Sequence, residues 1–211
     1  MSTTTTENKS FEITKGINGL EKVILRETHG SSVEVYLYGA HVTSWKNEHN
    51  EEMLFVSSKY FVCIFIDTKL GMIEVRVEGL ETLDYLDNTK NRERYTEQGD
   101  AITFESEIDK IYLSTPTKIA VLDHEKKRTF VIRKEGLPDA VVWNPWDKKA
   151  KTMADFGDEE YKQMLCVEAA AIEKPVTLKP GEEWKVRLEL SAVPSSYFSG
   201  QLDPKKVLQG A

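Results

Sequence analysis

The 211-residue chain has little cysteine, little histidine and no long apolar run, and each shortage closes off a class of function. Its two cysteines, Cys63 and Cys166, stand far apart in apolar surroundings. They have neither metal-ligand spacing nor the density of a disulfide framework, so two buried thiols in a reducing compartment are expected. Four histidines, His29, His41, His49 and His124, form no paired ligand motif, and glycine never gathers into a phosphate-cradling loop. The longest strongly apolar stretch, Tyr60 to Ile66, is too short to cross a bilayer. The polar opening MSTTTTENKS lacks the apolar centre of a secretion signal. A cytoplasmic protein without a membrane partner is therefore expected, with residues 1–10 as a disordered tail. Positive charge is scarce too: 28 Lys and Arg face 35 Asp and Glu, a net charge of −7, and that field opposes nucleic acid. The short basic runs Lys126-Lys127-Arg128 and Lys148-Lys149-Ala150-Lys151 read as solvated loops.

Against these shortages, β-forming runs are plentiful. They recur over residues 22–25, 32–38, 53–56, 60–66, 73–77, 101–105, 118–122, 129–133, 140–143, 164–169 and 183–192. Turn signals such as Asn18-Gly19, His29-Gly30, Gly39, Gln98-Gly99 and Pro180-Gly181 separate them. This pattern predicts an antiparallel sandwich or barrel, with residues 11–211 forming one domain. KIAVLDHEKKRTFVIRK predicts a hairpin with His124 in its tip. Helical signal is confined to residues 155–161 and 203–208.

Three places carry candidate chemistry. LCVEAAAI, residues 165–172, sets Glu168 in an otherwise apolar run. As a strand, it puts Met164, Cys166 and Glu168 on one face, and a carboxylate so placed is either a strand-end residue reaching water or a base with a raised pKa in a cleft. VVWNPWD brackets Asn144-Pro145 with Trp143 and Trp146, which predicts either a flat wall for the C–H face of a sugar or a packed core corner. Asp109, following an alternating strand, is either a turn former or an acceptor for sugar hydroxyls.

Long tracts of the chain resemble a known family. HGSSVEVYLYGAHVTSWKN, VEGLETLDYLDN, RYTEQGDAITFESEIDKIYLS and DAVVWNPWDKKAKTMADFGDEEYKQMLCVEAAAIEKPVTLKPGEEW are similar to plant glucose-6-phosphate 1-epimerases, over Phe11 to about Leu208 apart from residues 60–72. The resemblance implies a galactose-mutarotase-like β-supersandwich and an isomerase that interconverts the α and β anomers of D-glucose 6-phosphate. It implies no cofactor and no metal, with a small hexose 6-phosphate as partner and the oligomeric state left open. It gives Glu168 the role of general base at the anomeric hydroxyl and makes Asp109, Trp143, Asn144 and Trp146 substrate-binding. In that family a histidine protonates the ring oxygen. After Lys59, however, the chain lacks a segment on the order of 100 residues, about half a typical domain, which holds that histidine and the family's phosphate-binding arginines. An incomplete sandwich is expected, with three outcomes open: a working epimerase, a non-catalytic sugar-phosphate-binding protein, or a non-functional shortened form.

Overall fold

Short β-branched and aromatic runs broken by glycine, asparagine and proline favour hairpins over helices, and the chain folds accordingly. The structure, a computed structural model, describes residues 10–56, 62–66, 72 and 75–194. Among these the pattern is antiparallel all-β with one five-residue α-helix, Trp146–Ala150 (α1). Most of the expected tail and the helix expected over 203–208 lie outside the described residues. The chain divides into two compact units, Met1–Phe65 and Ile66–Ala211.

The first unit is a meander of β1 (Phe11–Lys15), β2 (Glu21–Arg26), β3 (Ser32–Tyr36) and β4 (His41–Lys46), paired in that order. Its turns fall where the sequence placed them, with Asn18, Gly19, Gly30 and Gly39 at positive φ. The Glu52 carboxylate accepts from Ser44 Oγ (2.6 Å) and the Trp45 amide (2.8 Å), fastening the exit of β4. A hairpin of β5 (Leu54–Val56) and β6 (Val62–Phe65) follows.

The second unit contains β7 (Val75–Glu78), β8 (Asp84–Asp87), β9 (Glu93–Thr96), β10 (Ile108–Tyr112), β11 (Lys118–Asp123), β12 (Arg128–Glu135), β13 (Asp139–Asn144), β14 (Met164–Ala170) and β15 (Arg187–Pro194). One run of paired strands has the order β14-β13-β10-β8-β9, and a second sheet has the order β15-β12-β11-β7. The expected hairpin is β11–β12, with Lys127 at φ 50° in its tip and the Lys126 amide donating to Asp123 Oδ1 (3.0 Å). Val75, Val77, Ile119, Ala120, Val121 and Phe130 are fully buried in the second sheet. Tyr112, Ala140, Val142, Met164 and Leu165 are equally buried in the first run. Each large apolar side chain so buried contributes about 1.5–3 kcal/mol, so the sheets rather than local propensity hold the unit together.

Several expectations are corrected. Residues 101–105 form no strand; Ile102 makes a single bridge to Val77, because the amide and carbonyl of that one residue are all that meet the edge of β7. Residues 155–161 are turns leading into a short 3-10 segment, Glu160–Gln163, while α1 was unforeseen. Neither cysteine is a free thiol: Cys63 and Cys166 are both disulfide-bonded, an outcome that sequence separation concealed.

Candidate active site

Register decides which side chains share a surface, and β13 is the reference strand. Its Val141 pairs with Glu168 and its Trp143 with Cys166 on β14, while Asp109 and Ile111 of β10 pair with Trp143 and Val141. Partners in register point to the same side of a sheet, so Glu168, Val141, Trp143 and Asp109 lie on one face. Ala140, Val142, Asn144, Leu165, Ile108 and Tyr112 lie on the other, and all six are buried. The first face is covered at Met164, Cys166 and Ile111, which are buried, and opens at Glu168, which reaches solvent, while Asp109, Val141 and Trp143 are half-buried.

Glu168 sits in a setting that disfavours its charge. Surrounding protein displaces part of its hydration although the residue as a whole is exposed, and this crowding raises its pKa above the usual carboxylate value. The negative charge of Asp109 on the same face pushes in the same direction. Asp109 is held in place by Asn88, whose Nδ2 donates to Asp109 Oδ1 over 2.7 Å. Asn88 follows β8, where the Asp87 carboxylate accepts from the Thr89 amide (3.0 Å) and turns the chain. Sequence reasoning missed Asn88; its place beside a capping aspartate in LDNTKN was the available signal.

The end of β14 is anchored by a buried carboxylate. Asp139, 1% exposed, accepts from the amides of Ile172 (2.7 Å) and Glu173 (2.9 Å), just beyond Glu168 on the chain. At the far edge, Arg94 Nε donates to Asp84 Oδ2 (2.9 Å) and its Nη1 to Glu173 Oε1 (3.2 Å), tying β9 to the segment after β14.

The WNPW corner divides its residues between two jobs. Asn144 is fully buried on the opposite face from Glu168, and its Nδ2 donates to the carbonyls of Tyr161 and Met164, both at 2.8 Å. Its Oδ1 accepts from the Trp146 amide (2.9 Å). Both amide protons being taken, Asn144 braces the corner and has no donor left for a sugar hydroxyl. Trp146 adopts φ 55°, a left-handed conformation uncommon for a large side chain, and that amide contact holds it there. Its ring packs against Tyr161 with centroids 5.3 Å apart. Trp143 therefore remains the aromatic surface that register places beside Glu168 and Asp109.

The five strands around this face carry no histidine: His29, His41 and His49 belong to the first unit, and His124 to the β11–β12 tip. Among the described residues no group of three or more His, Cys, Asp or Glu is arranged to hold a metal ion. No described helix is long and apolar enough to cross a membrane. The face can thus offer a proton-accepting carboxylate, a second carboxylate to accept hydroxyl hydrogen bonds, and an aromatic wall.

This antiparallel β scaffold matches a known class, and the chain belongs to it. A family described as Aldose 1-epimerase matches residues 59–191, which makes this an aldose 1-epimerase family protein and places it among the isomerases. A protein of Cenchrus ciliaris named "Putative glucose-6-phosphate 1-epimerase" is 45% identical over 305 positions, covering 94% of this chain and 93% of that relative. A Haemophilus influenzae protein of the same name is 34% identical over 83 residues, 39% of this chain and 29% of the relative. A Salmonella typhimurium crystal structure described as "a putative mutarotase (YeaD)" superposes with a TM-score of 0.64 at 14% identity, covering 87% of this chain and 97% of that one, and attests the shared fold. The alignment with the C. ciliaris protein spans 305 positions against 211 residues here, so that relative has residues with no counterpart in this chain.

Proposed function

We propose that the chain interconverts the α and β anomers of a hexose 6-phosphate on the open face of β14, β13 and β10, with Glu168 as general base. The observation that carries this reading is the grouping of Glu168, Asp109 and Trp143 by register on one accessible face, with Glu168's pKa raised. The names of the relatives supply the substrate class. Glu168 takes the proton of the anomeric hydroxyl, the bond between C1 and the ring oxygen breaks, and the ring oxygen gains a proton. Rotation about C1–C2 and reversal of these steps close the ring as the other anomer. Asp109, fixed by Asn88, accepts from a ring hydroxyl, and Trp143 lies against the C–H face of the sugar. With no histidine on the site's strands, the proton for the ring oxygen comes from water, which lowers the rate by roughly 10²- to 10⁴-fold relative to a positioned acid.

The test is the anomerisation of freshly dissolved α-glucose 6-phosphate followed by NMR, with the chain and with Glu168→Gln. Acceleration above the spontaneous rate that disappears in the variant supports the reading; equal rates for the two proteins refute it. A second reading, a sugar-phosphate-binding protein without turnover, is favoured by the residues its relative has and this chain lacks. Saturable binding of glucose 6-phosphate by a cooperatively folded sample with no acceleration selects it.

A further inference from the structure

The sheet formed by β15, β12, β11 and β7 carries a cleft that the proposed reaction does not use. Its cavity of about 250 Å³ is lined by Lys118, Arg133, Lys134 and Arg187, opposed by Glu135 and Glu189, with Thr117 at its side. The lining bears four cationic and two acidic side chains, an excess of positive charge on a protein whose net charge is −7. Register produces the cluster: Lys118 pairs with Arg133, Arg133 with Glu189, and Glu135 with Arg187. Residues 133, 135, 187 and 189 thereby project from one face of adjoining strands.

The two arginines share one carboxylate and neither is closely engaged by it. Glu189 lies 3.8 Å from Arg133 Nε and 3.6 Å from Arg187 Nη2, distances that give ion pairs and no hydrogen bond. Arg133 Nε is shielded from solvent and makes no hydrogen bond within the protein, although a buried N–H ordinarily finds an acceptor. The Lys134 ammonium donates to the Leu137 carbonyl and adds charge from beneath. Among the described residues no apolar or aromatic side chain lines the cavity, so these offer no platform for a sugar ring or a base.

We propose that this cleft is a binding site for a small phosphate-type dianion, either free phosphate or the phosphate end of a phosphomonoester whose carbon part stays in solvent. A guanidinium offers a fixed fork of donors matched to phosphate oxygens, and the Arg133 and Arg187 side chains, 43% and 71% exposed, can present those forks to a dianion between them. The inference is independent of the role given to Glu168.

The test titrates the full chain with inorganic phosphate and, separately, with glycerol 3-phosphate at constant ionic strength, following the Arg133 Nε–Hε signal by NMR. A saturable shift with phosphate alone identifies free phosphate; saturation by both identifies a phosphomonoester-tolerant site. Arg187→Gln, a change at an exposed side chain, is expected to weaken either titration by about 10-fold or more, while Glu168→Gln leaves both unchanged. An Arg133 signal that does not move, or that saturates equally in Arg187→Gln, overturns the proposal.

Discussion

Glu97, just past the end of β9, and Glu168 of β14 experience opposite conditions on the two faces of one run of strands. On the buried face, the Glu97 carboxylate accepts from Lys110 Nζ (2.9 Å) and the Tyr112 hydroxyl (2.7 Å), with Lys110 lying 4.1 Å from the Tyr85 ring centroid. Burial alone would raise the pKa of Glu97, but the Tyr112 and Lys110 hydrogen bonds outweigh it and the value falls. Burial, reinforced by the same contact, raises the Tyr112 phenol far above its usual value. On the open face, Glu168 has crowding and the Asp109 charge acting together, and its pKa rises. One face has its charges matched and serves stability. The other leaves a carboxylate with a raised pKa, which under the proposed function serves proton transfer in the ring opening of a sugar.

The largest expected effect that separates the faces is that of Glu168→Gln. It abolishes acceleration of anomerisation, a loss of about 10²- to 10⁴-fold, without lowering thermal stability at neutral pH. The sign follows from linkage. A carboxylate whose folded pKa is raised favours folding below its unfolded value and loses that contribution as pH rises through the folded value, so removing its charge at pH 7 leaves Tm equal or higher. Thermal melts across pH check this, with any gain in the variant shrinking on acidification.

Changes on the buried face have the reverse profile. Lys110→Met costs about 2 kcal/mol and Tyr112→Phe about 1 kcal/mol in urea unfolding, because Glu97 loses a partner in each. Since the Glu97 pKa is lowered by folding, these costs are full above its unfolded value and fade as pH falls through the folded value. Neither change is expected to move the pH dependence of anomerisation.

Trp143→Ala removes the aromatic wall and is expected to raise KM for glucose 6-phosphate by up to about 10-fold with a smaller change in kcat, read from initial-rate kinetics. The smallest effect is that of Asp109→Asn. The rate rises with pH as Glu168 loses its proton, and removing the neighbouring negative charge lowers the Glu168 pKa, so this rise moves to lower pH.

How much of this was legible in the residues varies from strand to strand. Glu168 announced itself because a carboxylate in LCVEAAAI breaks an apolar run, and two-residue alternation correctly put Met164, Cys166 and Glu168 on one side. Strands β8 and β9 were missed because DYLD and ERYT are short and charged, and their alternation appears only when Asp84 and Arg94 meet across the ladder. The resemblance implied substrate binding for Asn144, and nothing local reveals that its amide meets the carbonyls of Tyr161 and Met164. The bracing of β14 by Asp139 was equally hidden, depending on amides more than thirty residues further along. The Glu135, Arg187 and Glu189 pairings at the cationic cleft required the β12–β15 register, which no pattern within either strand supplies.

The most direct measurement is a carbon-13 NMR titration of the Glu168 and Glu97 side-chain carboxyls in one sample of the intact protein. The account predicts that Glu168 titrates above the ordinary carboxylate value and Glu97 below it, and that Asp109→Asn lowers the first while leaving the second in place. Titration of Glu168 at or below the value for Glu97 would contradict the assignment of the open face as the site of proton transfer.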